Sequence, residues 1–232
     1  MKKILLLALL TVVAASTLNA QKKNAIKIRP LALGLGSIDG MYERAIGGKM
    51  SVSLQLSYMK WNVLPIAEQY YSGTGTLNSA SLTGYMVTPQ FRFYPAGNAI
   101  KGFYINPFLQ RGKYTLAQSN TDQYNFQSSS NASLTVTGIG VGIGYQWTWG
   151  PVCLDWNFLG LGVQSWGLGF EYQYATADNI SNANDIVTNL NNSAFFKDYT
   201  VKFPSSGGIE VSAPVIGILP TFKSNLSLGI AF

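Results

Sequence analysis

The feature that most constrains the fold is a strict two-residue alternation in the second half of the chain. From Gly138 to Trp149, every even position holds a small or polar residue, and every odd position holds an apolar or aromatic one. Successive side chains of a β-strand point to opposite faces. This segment therefore predicts a strand with one apolar face, whereas a helical period of 3.6 residues would not separate these residues.

The same alternation recurs in four other segments. Their apolar positions are Met50, Val52, Leu54, Leu56 and Tyr58; Val87, Pro89, Phe91 and Phe93; Val152, Leu154, Trp156 and Phe158; and Phe222, Leu226, Leu228, Ile230 and Phe232. Beyond residue 20, no apolar run approaches the roughly 18 residues that indicate a membrane-spanning helix. The pattern is typical of a transmembrane β-barrel, whose strands alternate between lipid-facing and lumen-facing residues.

The connections between these segments alternate between tight and long. Turn residues stand at 47–48, 95–98 and 150–151, and long polar stretches at about 63–79, 116–131 and 175–213. Bacterial outer-membrane barrels have short periplasmic turns and long extracellular loops. We therefore predict an all-β, antiparallel up-and-down transmembrane β-barrel of eight strands, with an unusually short first outer connection near residues 36–39. The expected strands are 25–35, 39–46, 50–62, 81–94, 103–116, 132–149, 152–174 and 214–232.

Two further predictions follow from this layout. A ten-stranded barrel is the alternative, because residues 195–203 and 209–218 could form an extra hairpin. Aromatic rings prefer the headgroup level of a membrane, so two girdles are expected. The periplasmic girdle would contain Phe91, Phe93, Tyr94, Phe103, Trp147, Trp149 and Phe232, and the outer girdle Tyr58, Trp61, Tyr172 and Tyr174.

The N-terminus predicts export. Lys2 and Lys3 precede an apolar stretch from Ile4 to Ala15, and Ala20 offers a small residue for cleavage. The alternative is a membrane-spanning helix, but the stretch is shorter than the ~20 residues such a helix needs. We expect residues 1–20 to be a cleaved signal peptide and residues 21–232 to form a single barrel domain. Gln21 follows the cut, so no lipid-attachment cysteine stands there.

The last eight residues, 225–232, resemble the C-terminal signal that the barrel-assembly machinery reads, carried here by Leu228, Ile230 and Phe232. The segments 42–44 and 144–147, each before a Gly turn, are similar to those of the small outer-membrane β-barrel family of Bacteroidota. That family has the eight-stranded architecture of the OmpA-, OmpX- and OmpW-like barrels. The resemblance implies a location in the bacterial outer membrane, periplasmic termini, and contact with outer-membrane lipid and lipopolysaccharide. It implies no activity.

The chain contains no histidine and one cysteine, Cys153. Without imidazole there is no Ser-His-Asp arrangement and no histidine metal site. The outer-membrane barrel enzymes that this fold resembles use a histidine. Glycines at 138, 140, 142 and 144 precede more strand rather than a helix, which argues against a phosphate-binding loop and favours a lumen wall that admits large neighbouring side chains. We expect no enzymatic activity, no cofactor and no metal.

The alternation also predicts which polar residues face the lumen. These are Gln55, Gln90, Arg92, Gln110, Gln146, Asp155 and Asn157. Buried charges need partners, and Arg92 and Asp155 are the expected ion pair, across the lumen between non-adjacent strands. Glu43 and Arg44 are consecutive, so they cannot both point inward. A polar plug that holds the barrel rigid is favoured over a selective path.

The function expected from the sequence is a structural or binding barrel that acts through its outer loops. Candidate contact residues in those loops are Tyr70, Tyr71, Tyr124, Phe126, Phe195 and Phe196. The alternatives are a narrow transporter for small or hydrophobic molecules and a subunit of an envelope or secretion assembly. The formal net charge is +6 and the basic residues are scattered, so no nucleic-acid partner is expected.

Overall fold

The computed structural model describes residues 22–34, 36–65, 75–122, 127–174, 200–202, 209–212 and 216–232. The strands are β1 (Asn24–Ile28), β2 (Ser37–Ala45), β3 (Met50–Asn62), β4 (Gly75–Phe93), β5 (Gly102–Asp122), β6 (Gln127–Trp149), β7 (Val152–Tyr174), β8 (Thr200–Lys202), β9 (Ile209–Ser212) and β10 (Ile216–Ala231). A short helix, α1 (Pro30–Gly34), joins β1 to β2. No helix in the described part of the chain is long and apolar enough to cross a membrane.

Eight of these strands close into a ring. From β1 to β7 each strand pairs antiparallel with the next one in the sequence, and β10 pairs with both β7 and β1. The two ends of the described chain meet at the same rim, where the Asn24 amide donates to the Phe232 carbonyl. The predicted all-β arrangement of eight up-and-down antiparallel strands is confirmed as this ring.

The strands β8 and β9 lie outside the ring. They pair with each other, and β9 pairs with the outer end of β7 from Gly169 to Tyr172. The pairing of β10 with β7 ends at Trp166, so β9 continues the line of β10 outward. The alternative of a ten-stranded barrel is therefore wrong, although a small hairpin does form within the predicted segments.

The first strand is shorter than predicted. The sequence indicated a strand over 25–35, but β1 ends at Ile28 and α1 begins at Pro30. Proline has no N–H to donate to a strand ladder, and its fixed φ suits the first position of a helix. Gly36 then adopts a φ of 70°, which turns the chain into β2.

Three polar stretches predicted as loops contain strand residues. Between β5 and β6 the pairing continues from Leu116↔Ala132 out to Thr121↔Gln127. Likewise β4 begins at Gly75, inside the stretch 63–79, while β8 and β9 fall within 175–213. Serine, threonine and asparagine give no hydrophobic alternation that would reveal a strand in the sequence. Their backbones nevertheless form the ladder, and a side-chain contact supports it, because Ser128 Oγ donates to Asn120 Oδ1 at 2.7 Å.

The ring has an apolar outer face and a polar inner face. On β3, the outward Leu54 is 43% exposed and the inward Gln55 is 2% exposed. The other outward positions of this strand, including Val52, Leu56 and Tyr58, are also exposed, and the inward Ser51 and Ser53 are buried. The predicted alternation therefore separates the two faces of the wall.

The inward glycines of β6 admit large side chains from β5. A Cβ added at Gly144 would lie 2.3 Å from the Tyr104 hydroxyl, and one added at Gly140 would lie 2.4 Å from Phe108 Cζ. Such distances are far below van der Waals contact. The glycines are therefore required by the rings that fill the interior next to them.

We predict that Gly144→Ala lowers the free energy of unfolding by about 1–3 kcal/mol, the usual cost of overpacking a filled interior. Urea unfolding monitored by tryptophan fluorescence measures this. The matched control is Gly40→Ala, because Gly40 is also a strand glycine and an added Cβ there meets nothing within 4 Å. Equal stability of the two variants would contradict the packing argument.

Candidate functional site

Four ionised side chains from four different strands meet inside the ring. Lys27 lies on β1, Glu43 on β2, Arg92 on β4 and Asp155 on β7, and each of them is at most 2% exposed. Each one occupies the inward position between outward neighbours, for example Lys27 between Ile26 and Ile28. The alternation of the wall is therefore what delivers all four charges to one place.

Each cation of this charged cluster contacts both carboxylates. Lys27 Nζ lies 2.5 Å from Glu43 Oε2 and 2.6 Å from Asp155 Oδ2. Arg92 Nη1 lies 2.6 Å from Asp155 Oδ2 and 3.3 Å from Glu43 Oε2. Two positive and two negative charges leave the cluster neutral, which is the condition under which buried ions are tolerated.

Neutral donors complete the coordination of the carboxylates. Tyr94 donates to Glu43 Oε1 at 2.6 Å, and Ser51 donates to the same oxygen at 2.5 Å. Tyr104 donates to Asp155 Oδ1 at 2.7 Å. The Arg92 guanidinium also lies over the Tyr104 ring, with Arg92 Cζ 4.3 Å from the ring centroid.

The amide of Gln146 ties the two halves of the cluster together. Its Oε1 accepts from Lys27 Nζ at 2.9 Å and lies 3.0 Å from the Tyr94 hydroxyl oxygen. A third, longer contact comes from Arg92 Nη1 at 3.4 Å. The fully buried side chains of the cluster fill the ring at the rim where the described chain begins and ends.

A second ion pair lies one layer farther out. Arg29, just after β1, pairs with Asp39 of β2 and also donates to Asn225 of β10. Asp39 accepts further hydrogen bonds from Gln55 Nε2, at 3.1 Å, and from Ser57 Oγ. The side chain of Arg29 thus connects β10 to β2 just beyond Ile28, where β1 has ended and no longer lies between these two strands.

A chain of amides crosses the interior between these layers. Gln90 Nε2 donates to Gln55 Oε1 at 3.2 Å, and Asn106 Nδ2 donates to Gln90 Oε1 at 3.0 Å. Asn157 Nδ2 then donates to Asn106 Oδ1 at 3.1 Å. This chain links β3, β4, β5 and β7 through side chains alone.

The structure places all seven residues expected in the lumen inside the ring. They are Gln55, Gln90, Arg92, Gln110, Gln146, Asp155 and Asn157. Arg92 and Asp155 are in contact across the interior, and Gln110 stands apart, where its Nε2 donates to Gln164 Oε1 at 3.0 Å. Of the consecutive pair, Glu43 points inward and Arg44 is exposed.

Two residues of the charged cluster, Lys27 and Glu43, and its donors Ser51, Tyr94 and Tyr104 were not among those seven. Lys27 and Glu43 could have been found by extending the same parity rule to β1 and β2. Tyr94 was assigned to the periplasmic girdle, but it is fully buried and bonds to Glu43. Tyr94 comes directly after the last residue of β4, where the alternation of faces no longer predicts whether a ring lies at the membrane interface or turns inward. Tyr104 is uncharged, so it was not considered as a member of an ion cluster.

The side-chain contacts of the charged cluster join strands across the ring. In the described ranges no three side chains of the histidine, cysteine or carboxylate type are grouped to hold a metal ion. The carboxylates of the cluster are engaged by lysine, arginine, tyrosine and serine donors, so neither is free to act as a base. What the arrangement does is join β1, β2, β4 and β7 across the ring.

Comparison with protein-family models places most of the chain in a family. A family model described as a protein of unknown function (DUF3575) matches residues 4–196. This range includes β1 to β7 and ends before β10, the strand that closes the ring. No curated protein and no solved structure matches the chain.

We predict that Asp155→Asn lowers the free energy of unfolding by about 3–5 kcal/mol, because it leaves two buried cations with one carboxylate. Urea titration in detergent micelles measures the change, and Arg44→Gln, at an exposed charge, is the control. The double variant Asp155→Asn with Lys27→Met should lose less than the sum of the single losses. An unchanged midpoint for Asp155→Asn would refute the pairing.

Proposed function

We propose that this chain, which belongs to the DUF3575 family, is a non-enzymatic outer-membrane β-barrel that serves a structural or binding role through its extracellular loops. In this proposal it is one of the small outer-membrane barrels of Bacteroidota, with both termini in the periplasm. Its neighbours are outer-membrane lipid and lipopolysaccharide, and the barrel-assembly machinery recognises the strand that carries Leu228, Ile230 and Phe232.

The observation that carries the membrane location is the inverted distribution of polarity. Buried charge and a contiguous exposed apolar surface are both unusual in a protein surrounded by water. Here the exposed apolar residues of neighbouring strands adjoin around the ring, and the ionised residues of the charged cluster lie inside it. The outward run from Met50 to Tyr58 spans roughly nine residues, the length that a tilted strand needs to cross a bilayer.

Aromatic and basic residues border this apolar surface. Phe93, Phe103 and Trp149 are exposed near the rim that holds the termini, and Tyr58 and Tyr85 are exposed toward the other rim. On β5 the apolar outward positions end at Leu109, and the next two are Arg111 and Lys113. Rings and cations at these heights fit the two headgroup regions of a membrane. The side chains of Tyr172 and Tyr174 lie outside the described residues.

The filled interior favours a structural or binding role over transport. An eight-stranded ring leaves room for little more than its own side chains. Lys27, Arg92, Tyr94 and Tyr104 are fully buried at the level of the charged cluster. With that level occupied, recognition falls to the outer connections. The six loop aromatics named as candidate contacts lie outside the described residues.

The membrane location predicts a depth-dependent cost of an outward charge. In lipid vesicles Leu54→Arg should lower the free energy of unfolding by about 2–4 kcal/mol, and Tyr58→Arg by about 0–1 kcal/mol, since the cost falls from the bilayer midplane toward the interface. Both side chains are similarly exposed. A ring that stands in water would tolerate both substitutions equally, and equal values would overturn the proposal.

The filled interior predicts that the protein does not conduct ions. The purified full-length protein, inserted into a planar lipid bilayer, should give no steady single-channel steps. Insertion is verified in the same preparation by protease protection of the ring. Reproducible steps whose size changes in Gln146→Ala, which shortens a side chain of the plug, would favour the narrow transporter instead.

A further inference from the structure

The charges inside the ring do not balance. Between the level of the charged cluster and that of Lys223, four cations face the interior: Lys27, Arg29, Arg92 and Lys223. Three carboxylates face them: Asp39, Glu43 and Asp155. Among the described residues of this part of the interior, basic side chains therefore outnumber carboxylates by one, and a buried charge without a partner is costly.

Lys223 is the basic side chain of this set that no described carboxylate contacts. Among the described residues no carboxylate lies within 4.0 Å of its ammonium group, which donates to Gln55 Oε1 at 3.3 Å and stands 5.1 Å from the centroid of the Phe108 ring. An amide oxygen and an aromatic face are weak substitutes for an anion. Asn225, on the same inward face of β10, accepts a hydrogen bond from Arg29, so a second basic group lies close by.

On the side of β1, the described wall beside Lys223 has no strand ladder, and α1 packs there against β10 and β2. On the side of β1, β10 is paired only from Leu228 to Ala231, because β1 ends at Ile28. Among the described residues, the part of β10 from Ile216 to Ser227 pairs with β7 alone. Above β1 the ring is therefore bridged by α1 and by the side chain of Arg29 rather than by a strand ladder. We refer to this interruption of the ladder between β10 and β2 as the lateral gap.

Apolar side chains surround the lateral gap. Leu31 of α1 is 70% exposed, and Phe222, next to Lys223 on β10, is 76% exposed. The apolar surface continues onto the outer face of β1 to β4, which carries an open cavity of about 630 Å³. Ile26 of β1 and Ile38 of β2 are among the residues that line this cavity.

We infer that Lys223 binds the anionic head of a single-chain amphiphile that enters through the lateral gap and leaves its apolar tail among the side chains outside. A carboxylate or phosphate head would supply the missing negative charge. The lateral gap provides a route that does not pass the charged cluster. The inference rests on the proposed membrane location, since a membrane is where such amphiphiles meet this face of the ring.

The test is isothermal titration of the purified full-length protein in neutral maltoside micelles with decanoate. Decanol has the same tail without the charge, and acetate and inorganic phosphate have the charge without the tail. We expect saturable binding of decanoate, with the other three at least about tenfold weaker. Lys223→Gln should weaken decanoate binding by about tenfold or more, because a charge-assisted hydrogen bond in a desolvated site is lost.

Two variants serve as controls. Lys223→Arg keeps the charge and should keep the binding, and Arg44→Gln removes an exposed charge and should change nothing. Circular dichroism and heat-dependent gel migration verify that each variant is folded. Because no carboxylate among the described residues pairs with Lys223, Lys223→Gln should fold as well as the native protein.

Equal affinity of folded native protein and folded Lys223→Gln for decanoate would overturn the inference. So would equal affinity for decanoate and decanol, or binding of acetate or phosphate as tight as that of decanoate. These results would leave the membrane location intact, because that is read from the comparison of Leu54→Arg with Tyr58→Arg. Conversely, loss of the depth dependence would refute the membrane location whatever the titration showed.

Discussion

Lys27 and Arg92 each contact both Glu43 and Asp155, and the strands that carry these residues can separate only by leaving an ion without its partner. Such a cluster is costly to desolvate, and its net contribution to stability is small when it is complete. Its effect on the arrangement of the strands is large, because an incomplete cluster is far less stable than a complete one. A register slip of one residue in β1 or β4 would turn Lys27 or Arg92 to the apolar outer face. The charges thus specify the register as well as filling the ring.

The two-residue alternation of the strands made it possible to predict which residues face the interior of the ring. Once Ile139, Val141 and Ile143 are assigned to the outer face, the glycines between them must face inward. The same argument on β4 and β7 brings Arg92 and Asp155 inside, and the two side chains are in contact. Parity also gives the inward face of Lys27 and Glu43, but not their distance along the axis of the ring. Their contacts with Arg92 and Asp155 could therefore be assigned only from the strand registers. These follow from the hydrogen-bonded ladders, which a single sequence does not specify.

Strand ends were less predictable, for two different physical reasons. Between Leu116 and Asn131 the hydrophobic signal disappears because both faces are polar there, whereas the backbone ladder continues. At the start of the chain the opposite occurs. Beyond Ile28, Leu31 and Leu33 again alternate with small residues, although at odd rather than even positions, but Pro30 cannot take part in the ladder and starts a helix. Hydrophobic periodicity indicates whether the two faces of a strand meet polar or apolar surroundings. Whether the strand forms a ladder depends instead on which backbone N–H groups are available to donate.

Pro30 also explains why β1 is much shorter than β10, the strand beside it. By ending β1 early it leaves the edge of β10 unpaired above Leu228, and it fixes Arg29 at the point where the ladder stops. Arg29 then spans the interruption, with Asp39 on one side and Asn225 on the other. An unpaired strand edge is unfavourable in a hydrocarbon environment, so a continuous β1 would make a more stable wall in the proposed membrane. A wall that is neutral and closed by a ladder at one level, and that lacks this ladder and carries an excess of basic groups among its described residues at the next, is better explained by a site for an anion than by the needs of folding alone.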